Sequence, residues 1–109
     1  MKYHSTKQEV DGHVFDSKAE ARRYQELSLM EKAGVISRLR LQPEYELIPS
    51  FKKGGRTYRK TQYIADFEYV ENGRKIVEDV KGFKTDVYKL KRKMFEYKYP
   101  ELTIREVKR

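Results

Sequence analysis

Cysteine is absent from the 109-residue sequence, and histidine occurs only twice, at His4 and His13. The absence of cysteine excludes disulfides, thiolate zinc sites and thiol nucleophiles. Two isolated histidines are more often solvated or packed than they are metal ligands. Any metal ion bound by this protein must therefore be held by carboxylates.

Long apolar segments are also missing. No run approaches the ~18 residues of a membrane span, and residues 1–12 mix charged and polar side chains. The sequence has no internal repeat and no low-complexity linker, and its length suits one domain, residues 1–109. We therefore expect a soluble, cytoplasmic, single-domain protein with no membrane partner.

Basic residues outnumber acidic residues in this sequence. Lysine and arginine number 25 against 17 aspartates and glutamates, which gives a net charge of +8. Hydrophobic residues make up 38% and aromatic residues 13%, enough for the apolar faces of a folded domain. A positive field of this size attracts polyanions, so nucleic acid is the default partner.

Apolar periodicity and turn signals predict two helices and several strands. The first helix is predicted from the N-cap Ser17 to Gly34, and the second from Thr85 or Asp86 until shortly before Pro100. Residues 1–15 are expected to form an N-terminal arm with one short strand at 13–15. Further strands are predicted at 35–41, 44–51, 63–70, 75–81 and 102–107.

This order, a helix, three or four strands, a helix and a strand, predicts a mixed α/β (α+β) fold around a central mixed sheet. The last strand is reached through a helical crossover, so we expect it to lie parallel to its neighbour. The second helix is expected to turn one apolar stripe toward the core, formed by Val87, Leu90, Met94 and Tyr97.

Two aspartates stand out beside a predicted hairpin. Asn72-Gly73 favours a type I′ turn, and pairing outward from it places Asp66 opposite Asp79, with Lys81 on the same face. Opposed carboxylates about 4.5–5.5 Å apart at Cβ destabilise a sheet unless a cation binds both. A hard divalent cation such as Mg²⁺ takes oxygen ligands. The alternative is a solvated face on which both aspartates pair with lysines. The opposite face is expected to carry Ala65, Phe67, Tyr69, Ile76 and Val80.

Two other glutamates compete for a place in this site. Glu20 falls on the apolar stripe of the first helix, where a carboxylate is unusual, but Ser17-x-x-Glu20 is also a capping box. Both interpretations stay open. Glu106-Val107-Lys108 repeats the acid-x-lysine pattern of Asp79-Val80-Lys81, but near the chain end, where residues tend to fray. The Asp79 triplet is favoured because its hairpin partner supplies a second aspartate.

Three segments resemble the PD-(D/E)xK nuclease superfamily. They are Phe15-Asp16-Ser17-Lys18-Ala19-Glu20, Tyr63-Ile64-Ala65-Asp66-Phe67 and Glu78-Asp79-Val80-Lys81-Gly82. More narrowly, they are similar to a family of small phage-encoded nucleases related to archaeal Holliday-junction resolvases. The likeness spans about residues 15–97, with Ala65 in place of the proline that the motif names. It implies a restriction-endonuclease-like core and Mg²⁺- or Mn²⁺-dependent cleavage of DNA.

The resemblance also implies roles for individual residues. Glu20, Asp66, Asp79 and Lys81 would be catalytic, and the two aspartates, Glu20 and the Val80 carbonyl would hold the metal. The implied function is an endonuclease selective for branched DNA, in phage replication or recombination in the host cytoplasm. By analogy, cutting two strands favours a homodimer. The alternatives are a non-catalytic nucleic-acid-binding protein and an inactive partner subunit of a larger complex.

Two basic segments are candidates for gripping DNA. Residues 52–60 are predicted to form a hairpin tip around Gly54-Gly55, and Tyr58 there either stacks on a base or packs on its own sheet. The second helix carries a further basic run, which either contacts DNA or is a solvated face. The candidate DNA-binding residues are Lys52, Lys53, Arg56, Arg59, Lys60, Lys89, Arg92 and Lys93.

Overall fold

A computed structural model describes residues 7–109 of the chain. His4 and the first part of the predicted N-terminal arm lie outside the described residues. The helices are α1 (Lys18–Lys32) and α2 (Asp86–Lys98). The strands, in chain order, are β1 (Gln8–Val10), β2 (His13–Phe15), β3 (Ser37–Leu41), β4 (Glu44–Ile48), β5 (Phe51–Lys53), β6 (Arg56–Tyr58), β7 (Thr61–Ile64), β8 (Phe67–Glu71), β9 (Arg74–Lys81) and β10 (Thr103–Lys108).

The central sheet is mixed, with strand order β10-β9-β8-β3. The β8–β9 hairpin pairs Glu71 with Arg74, as the Asn72-Gly73 turn predicts. Both turn residues have positive φ, 52° and 75°, which a type I′ turn requires. β10 returns through α2 and pairs parallel to β9, so the expected parallel crossover is confirmed. The fold is a mixed α+β fold.

The two helices cover opposite faces of this sheet and form two cores. On the α1 side, Tyr24 and Leu27 pack with Phe67 and Tyr69. On the α2 side, an aromatic cluster packs on the other sheet face, and its fully buried ring is Phe95. No helix in residues 7–109 is long and apolar enough to cross a membrane.

The N-terminus of α1 follows its predicted local chemistry. Ser17 is the N-cap, and its hydroxyl accepts a hydrogen bond from the Glu20 N–H at 3.1 Å. The short strand expected at His13–Phe15 is present as β2, which pairs with β1. Phe15 enters the α1 core, and the Tyr24 hydroxyl donates to Asp11 in the β1–β2 turn.

The prediction of three or four strands between the helices is wrong, because seven strands lie there. The predicted strand 63–70 divides into β7 and β8, since the chain breaks at Ala65-Asp66. There the Ala65 N–H turns to the Pro43 carbonyl and the Asp66 N–H to the Glu78 carbonyl. This break also moves Ala65 to the α2 core, so its expected position beside Phe67 is wrong.

The predicted core face of α2 is also wrong for three of its four residues. Val87, Leu90 and Tyr97 are 64%, 55% and 90% exposed, and only Met94 packs against the core. The buried side chains are Tyr88 and Phe95. Aromatic side chains bury more area than Val or Leu, and the Tyr88 hydroxyl keeps a hydrogen bond to Glu106, so the aromatic stripe faces the sheet.

Candidate metal and nucleic-acid site

Asp66 lies at the end of the β8–β9 ladder. The last paired residues are Phe67 and Glu78, one step before Asp66, so the expected direct pairing of Asp66 with Asp79 is not part of the register. Instead, the Asp66 carboxylate replaces a backbone acceptor, because its Oδ2 accepts the Val80 N–H at 2.7 Å. The break at Ala65-Asp66 therefore fixes the Asp66 side chain against β9.

Asp79 is almost fully buried, at 1% exposure, on the α2 side of β9. The Tyr63 hydroxyl donates a hydrogen bond to its Oδ2. Burial raises the pKa of Asp79 to about 6, while Lys81 and the backbone of Asp66 oppose the rise. Burial also raises the pKa of Asp66, against the hydrogen bond from Val80. Both carboxylates are thus costly to hold as anions.

Glu20 lies in the first turn of α1, where its backbone N–H donates to the Ser17 hydroxyl, and its carboxyl group belongs to this acidic cluster. Burial is the largest cause that raises its pKa, to about 7, and the nearby charges of Asp66 and Asp16 add to it. Its Oε1 lies 3.7 Å from the Arg109 guanidinium. The Ser17 half of the expected capping box is therefore present, while the Glu20 carboxyl group lies near Asp66. Sequence reasoning did not single out Arg109, since nothing local marks it.

Lys81 ends β9 on the same side as Asp79. Its Nζ lies 4.2 Å from the centroid of the Tyr88 ring, a cation–π contact that restrains the ammonium group. The charge of Lys81 lowers the pKa of both aspartates. The structure therefore brings three of the predicted catalytic residues, Asp66, Asp79 and Lys81, to one end of β9.

The donor chemistry of the two aspartates fits a hard cation. Within residues 7–109, no three His, Cys, Asp or Glu side chains converge on a point that could hold a metal ion. Mg²⁺, however, is usually bound by one or two carboxylates, with waters and substrate phosphates completing the shell. Within residues 7–109, the side-chain hydrogen bonds from Val80 and Tyr63 both go to Oδ2 of these aspartates.

Glu106, the rival acid, is in a very different environment. It lies on β10 beside Asp79 in the parallel register. Lys84 and Arg92 form ion pairs with it at 2.8 Å and 2.5 Å, and the Tyr88 hydroxyl donates to it at 2.7 Å. The Lys84 bond is the largest cause that lowers its pKa to about 2. A carboxylate already neutralised by two cations is a poor candidate for a metal ligand.

Lys81 lines a basic groove with a volume of about 590 Å³. Lys60 and Lys91 also line it, together with Ile64 and Val87, and none of its lining residues is acidic. The groove joins the end of β9 to the segment that follows β6. Lys91 belongs to the basic run predicted on the second helix, and it is the residue of that run that lines this groove. A larger cavity of about 890 Å³ lies at the other end of β9, away from the aspartates.

The predicted DNA-binding residues of α2 lie elsewhere. Lys89, Arg92 and Lys93 line a smaller depression of about 240 Å³ that also contains Glu96 and Glu106. Arg92 is paired with both glutamates. Their contact with DNA stays a prediction, and the paired acids weaken the field around them.

The predicted basic hairpin is present as β5 and β6, which pair only with each other among the described strands. Gly54 and Gly55 form its turn with φ of 59° and 72°. No acidic residue lies between Glu46 and Asp66 in the sequence. The five cations of the hairpin segment are all exposed: Lys52, Lys53, Arg56, Arg59 and Lys60.

Fold and site together define a small mixed α+β protein with a buried aspartate, Asp79, and a partly buried one, Asp66, beside a basic groove. The whole chain, residues 1–109, matches the family described as "Protein of unknown function (DUF1064)", and the chain belongs to this family. No curated protein and no solved structure matches the chain.

Asp79→Asn is expected to stabilise the protein near neutral pH. The folded-state pKa of Asp79, about 6, lies above its ordinary 3.8. The native state therefore binds this proton more tightly than the unfolded state, and the free energy of unfolding falls as pH rises between these values. Asparagine keeps the shape without the charge. Thermal unfolding at about pH 7.5 should show a gain of about 1–3 kcal/mol, which disappears below about pH 4.

The matched control is Glu101→Gln, which removes an exposed carboxylate. It should change stability little at either pH. A stability gain for Asp79→Asn that is the same at both pH values would contradict the raised pKa of Asp79.

Proposed function

We propose that this protein is a Mg²⁺- or Mn²⁺-dependent DNA endonuclease with a restriction-endonuclease-like core, selective for branched DNA. The observation that carries the proposal is the end of β9. Two carboxylates with raised pKa, Asp66 and Asp79, lie there beside Lys81, at the start of a groove that no acid lines. Carboxylates with perturbed pKa values next to a lysine that lines a groove are typical of catalytic sites.

The topology also supports this function. The chain runs from α1, which carries Glu20, through the antiparallel β8–β9 pair to α2 and the parallel strand β10. This is the element order that the resemblance to PD-(D/E)xK nucleases implies. The motif residues fall on the corresponding elements, with Asp66 just before β8 and Asp79 and Lys81 on β9.

The roles of the residues follow from charge and position. A bound divalent cation would polarise the scissile phosphate and lower the pKa of a coordinated water. Asp66 and Asp79 would hold it, and the Val80 N–H and Tyr63 hydroxyl orient them. The Lys81 ammonium, restrained over Tyr88, orients the attacking water and stabilises charge on the phosphate. Glu20 would add a third carboxylate from the Asp66 side.

A non-catalytic nucleic-acid-binding protein is the second candidate function. It is favoured by the exposed basic hairpin, together with the finding that no three potential ligands converge within residues 7–109. In that case the two aspartates have only a structural role. Divalent ions would then cause no DNA cleavage, and the aspartate variants would bind DNA as the wild type does.

Asp66→Asn and Asp79→Asn should each abolish Mg²⁺-dependent cleavage of plasmid and four-way-junction DNA. Loss of a group that merely orients a metal ligand typically costs about 10–100-fold, so loss of a ligand charge should cost at least about 100-fold. Both variants should stay folded by circular dichroism. The measurement is cleavage against a Mg²⁺ titration.

The control for this comparison is Glu106→Gln, which removes the neighbouring carboxylate of the rival triplet. It should lose stability, since Lys84 and Arg92 lose their partner, but keep the cleavage rate. Wild-type cleavage rates in both aspartate variants would show that Asp66 and Asp79 do not form the active site. Loss of cleavage in Glu106→Gln alone would place the active site at Glu106 on β10.

Glu20→Gln separates the capping role from the metal role. The cap bond runs from the Glu20 N–H to the Ser17 hydroxyl, which the substitution leaves in place. Glutamine is also tolerated at this position of a capping box, but it lacks the negative charge. We expect cleavage to fall at least about tenfold with little change in Tm. Full activity would leave Glu20 as a cap only.

Lys52→Ala/Lys53→Ala should weaken binding to all DNAs alike. Each lost phosphate contact should flatten the slope of log K against log[salt] by about 0.9 for duplex and about 0.7 for single strands. Anisotropy titrations in Ca²⁺ across a salt series measure the slope. The control is Lys32→Ala, about 18 Å along α1 from Glu20, which should leave it unchanged. An unaltered slope in the double variant would mean that Lys52 and Lys53 do not contact DNA phosphates. Lys89, Arg92 and Lys93 would then be the remaining candidates for DNA contact.

A further inference from the structure

The β5–β6 hairpin carries two aromatic rings that no core uses. Phe51 and Tyr58 are direct cross-strand partners, and their rings stack with centroids 4.8 Å apart and planes 11° apart. They are 45% and 38% exposed, and neither belongs to the two cores of the described chain. The Tyr58 ring packs on Phe51 within its own two-stranded sheet, which is one of the two alternatives expected from the sequence.

Cations share the face of the ribbon that carries these rings. Side chains alternate along a strand, so Lys53 and Arg56 project on the same side as Phe51 and Tyr58, while Lys52 projects on the other. The Arg56 guanidinium carbon lies 5.3 Å from the centroid of the Tyr58 ring. One face thus offers a stack of flat rings between positive charges.

This combination selects one class of ligand. Lysines and arginines would be enough to bind a ligand that offers phosphates alone. Binding an acidic protein would not require exposed stacked rings. Unpaired bases present free π-faces next to phosphates, whereas the bases of a duplex are already stacked on one another. An isolated two-stranded ribbon is marginally stable in water, so an added stacked ring also stabilises it.

We propose that Phe51 and Tyr58 form a stacking platform for unpaired nucleotides of single-stranded DNA, including those at the branch point of a junction. The basic groove that joins Lys60 to Lys81 leads from the foot of this hairpin to the end of β9. As a statement about the substrate of the nuclease site, the inference rests on the proposed function. As a statement about binding, it stands on the hairpin alone.

The test measures binding without cleavage, in EDTA, using the full chain. Fluorescein-labelled single-stranded 20-mers and the matching duplex are titrated with wild type and with Phe51→Ile/Tyr58→Ile. β-Branched residues maintain the strand and an apolar cross-strand pair but remove the π-faces. The control is Tyr97→Leu, an aromatic residue that is 90% exposed on α2 and does not line the groove.

Loss of base stacking should lower single-strand affinity about tenfold or more and leave duplex affinity within about twofold. A strand of abasic spacers should bind wild type as weakly as the normal strand binds the variant. The fluorescence of 2-aminopurine in the single strand should be quenched by wild type and by Tyr97→Leu, and much less by the hairpin variant. Phe51→Tyr/Tyr58→Phe, which keeps both rings, should retain the quenching and the affinity.

Equal losses on single strand and duplex would overturn the proposal, because they would mean that the ribbon only holds phosphates. An unchanged single-strand affinity would also overturn it. These outcomes are independent of the proposed activity. A platform that binds single strands without any Mg²⁺-dependent cleavage would refute the nuclease, and cleavage without a stacking effect would refute the platform.

Discussion

Two adjacent buried carboxylates on β9, Glu78 and Asp79, set the constraint on which the rest of this structure depends. They are 0% and 1% exposed and point to opposite faces of the central sheet. Glu78 is compensated, because the Arg23 guanidinium binds it at 2.7 Å and 3.0 Å and the Tyr69 hydroxyl donates to it. Within residues 7–109, Asp79 receives a hydrogen bond from the Tyr63 hydroxyl, one from the backbone of Asp66 and the charge of Lys81, and burial outweighs them and raises its pKa. A buried acid without a strong cation is costly to keep as an anion, and the proposed divalent cation would offset this cost.

The site and the DNA-binding surface are connected by the way the chain leaves the sheet at this end of β9. The break at Ala65-Asp66 separates β7 from β8, directs the Asp66 carboxylate to the Val80 N–H and frees β4 and β7 to carry the basic hairpin. The same irregularity therefore builds the acidic cluster and positions the ribbon that supplies positive charge. Anionic substrate would be drawn to a groove in which Lys60, Lys81 and Lys91 outnumber any acid.

Local signals predicted local structure well, and they failed where two alternatives differed only in packing. The Asn72-Gly73 turn and the Ser17 cap were predictable because each depends on a few neighbouring residues. The face of α2 was not, because an aliphatic stripe through Leu90 and an aromatic stripe through Phe95 both have helical spacing. The larger aromatic rings pack on the sheet. Leu90 is therefore exposed, and Lys91 lines the groove. The sequence predicted Asp66 directly opposite Asp79, whereas the ladder ends at Phe67 and Glu78 and the Asp66 carboxylate binds the Val80 N–H, because a strand break leaves little trace in hydrophobic alternation.

Composition and short-range chemistry by themselves determined that this protein is basic, free of thiol and disulfide chemistry, built from two helices around a hairpin, and dependent on carboxylates for any metal. Only the tertiary structure decided which carboxylates are left for that role. Glu78, Asp79 and Glu106 lie on neighbouring parallel strands, and the sequence around Glu106 repeats the pattern around Asp79. The cations that neutralise Glu78 and Glu106 come from Arg23, 55 residues away, and from Arg92, 14 residues away. Long-range packing, which the spacing of residues along a chain does not encode, thus gave two of these acids ion-pair partners and gave Asp79 none among residues 7–109.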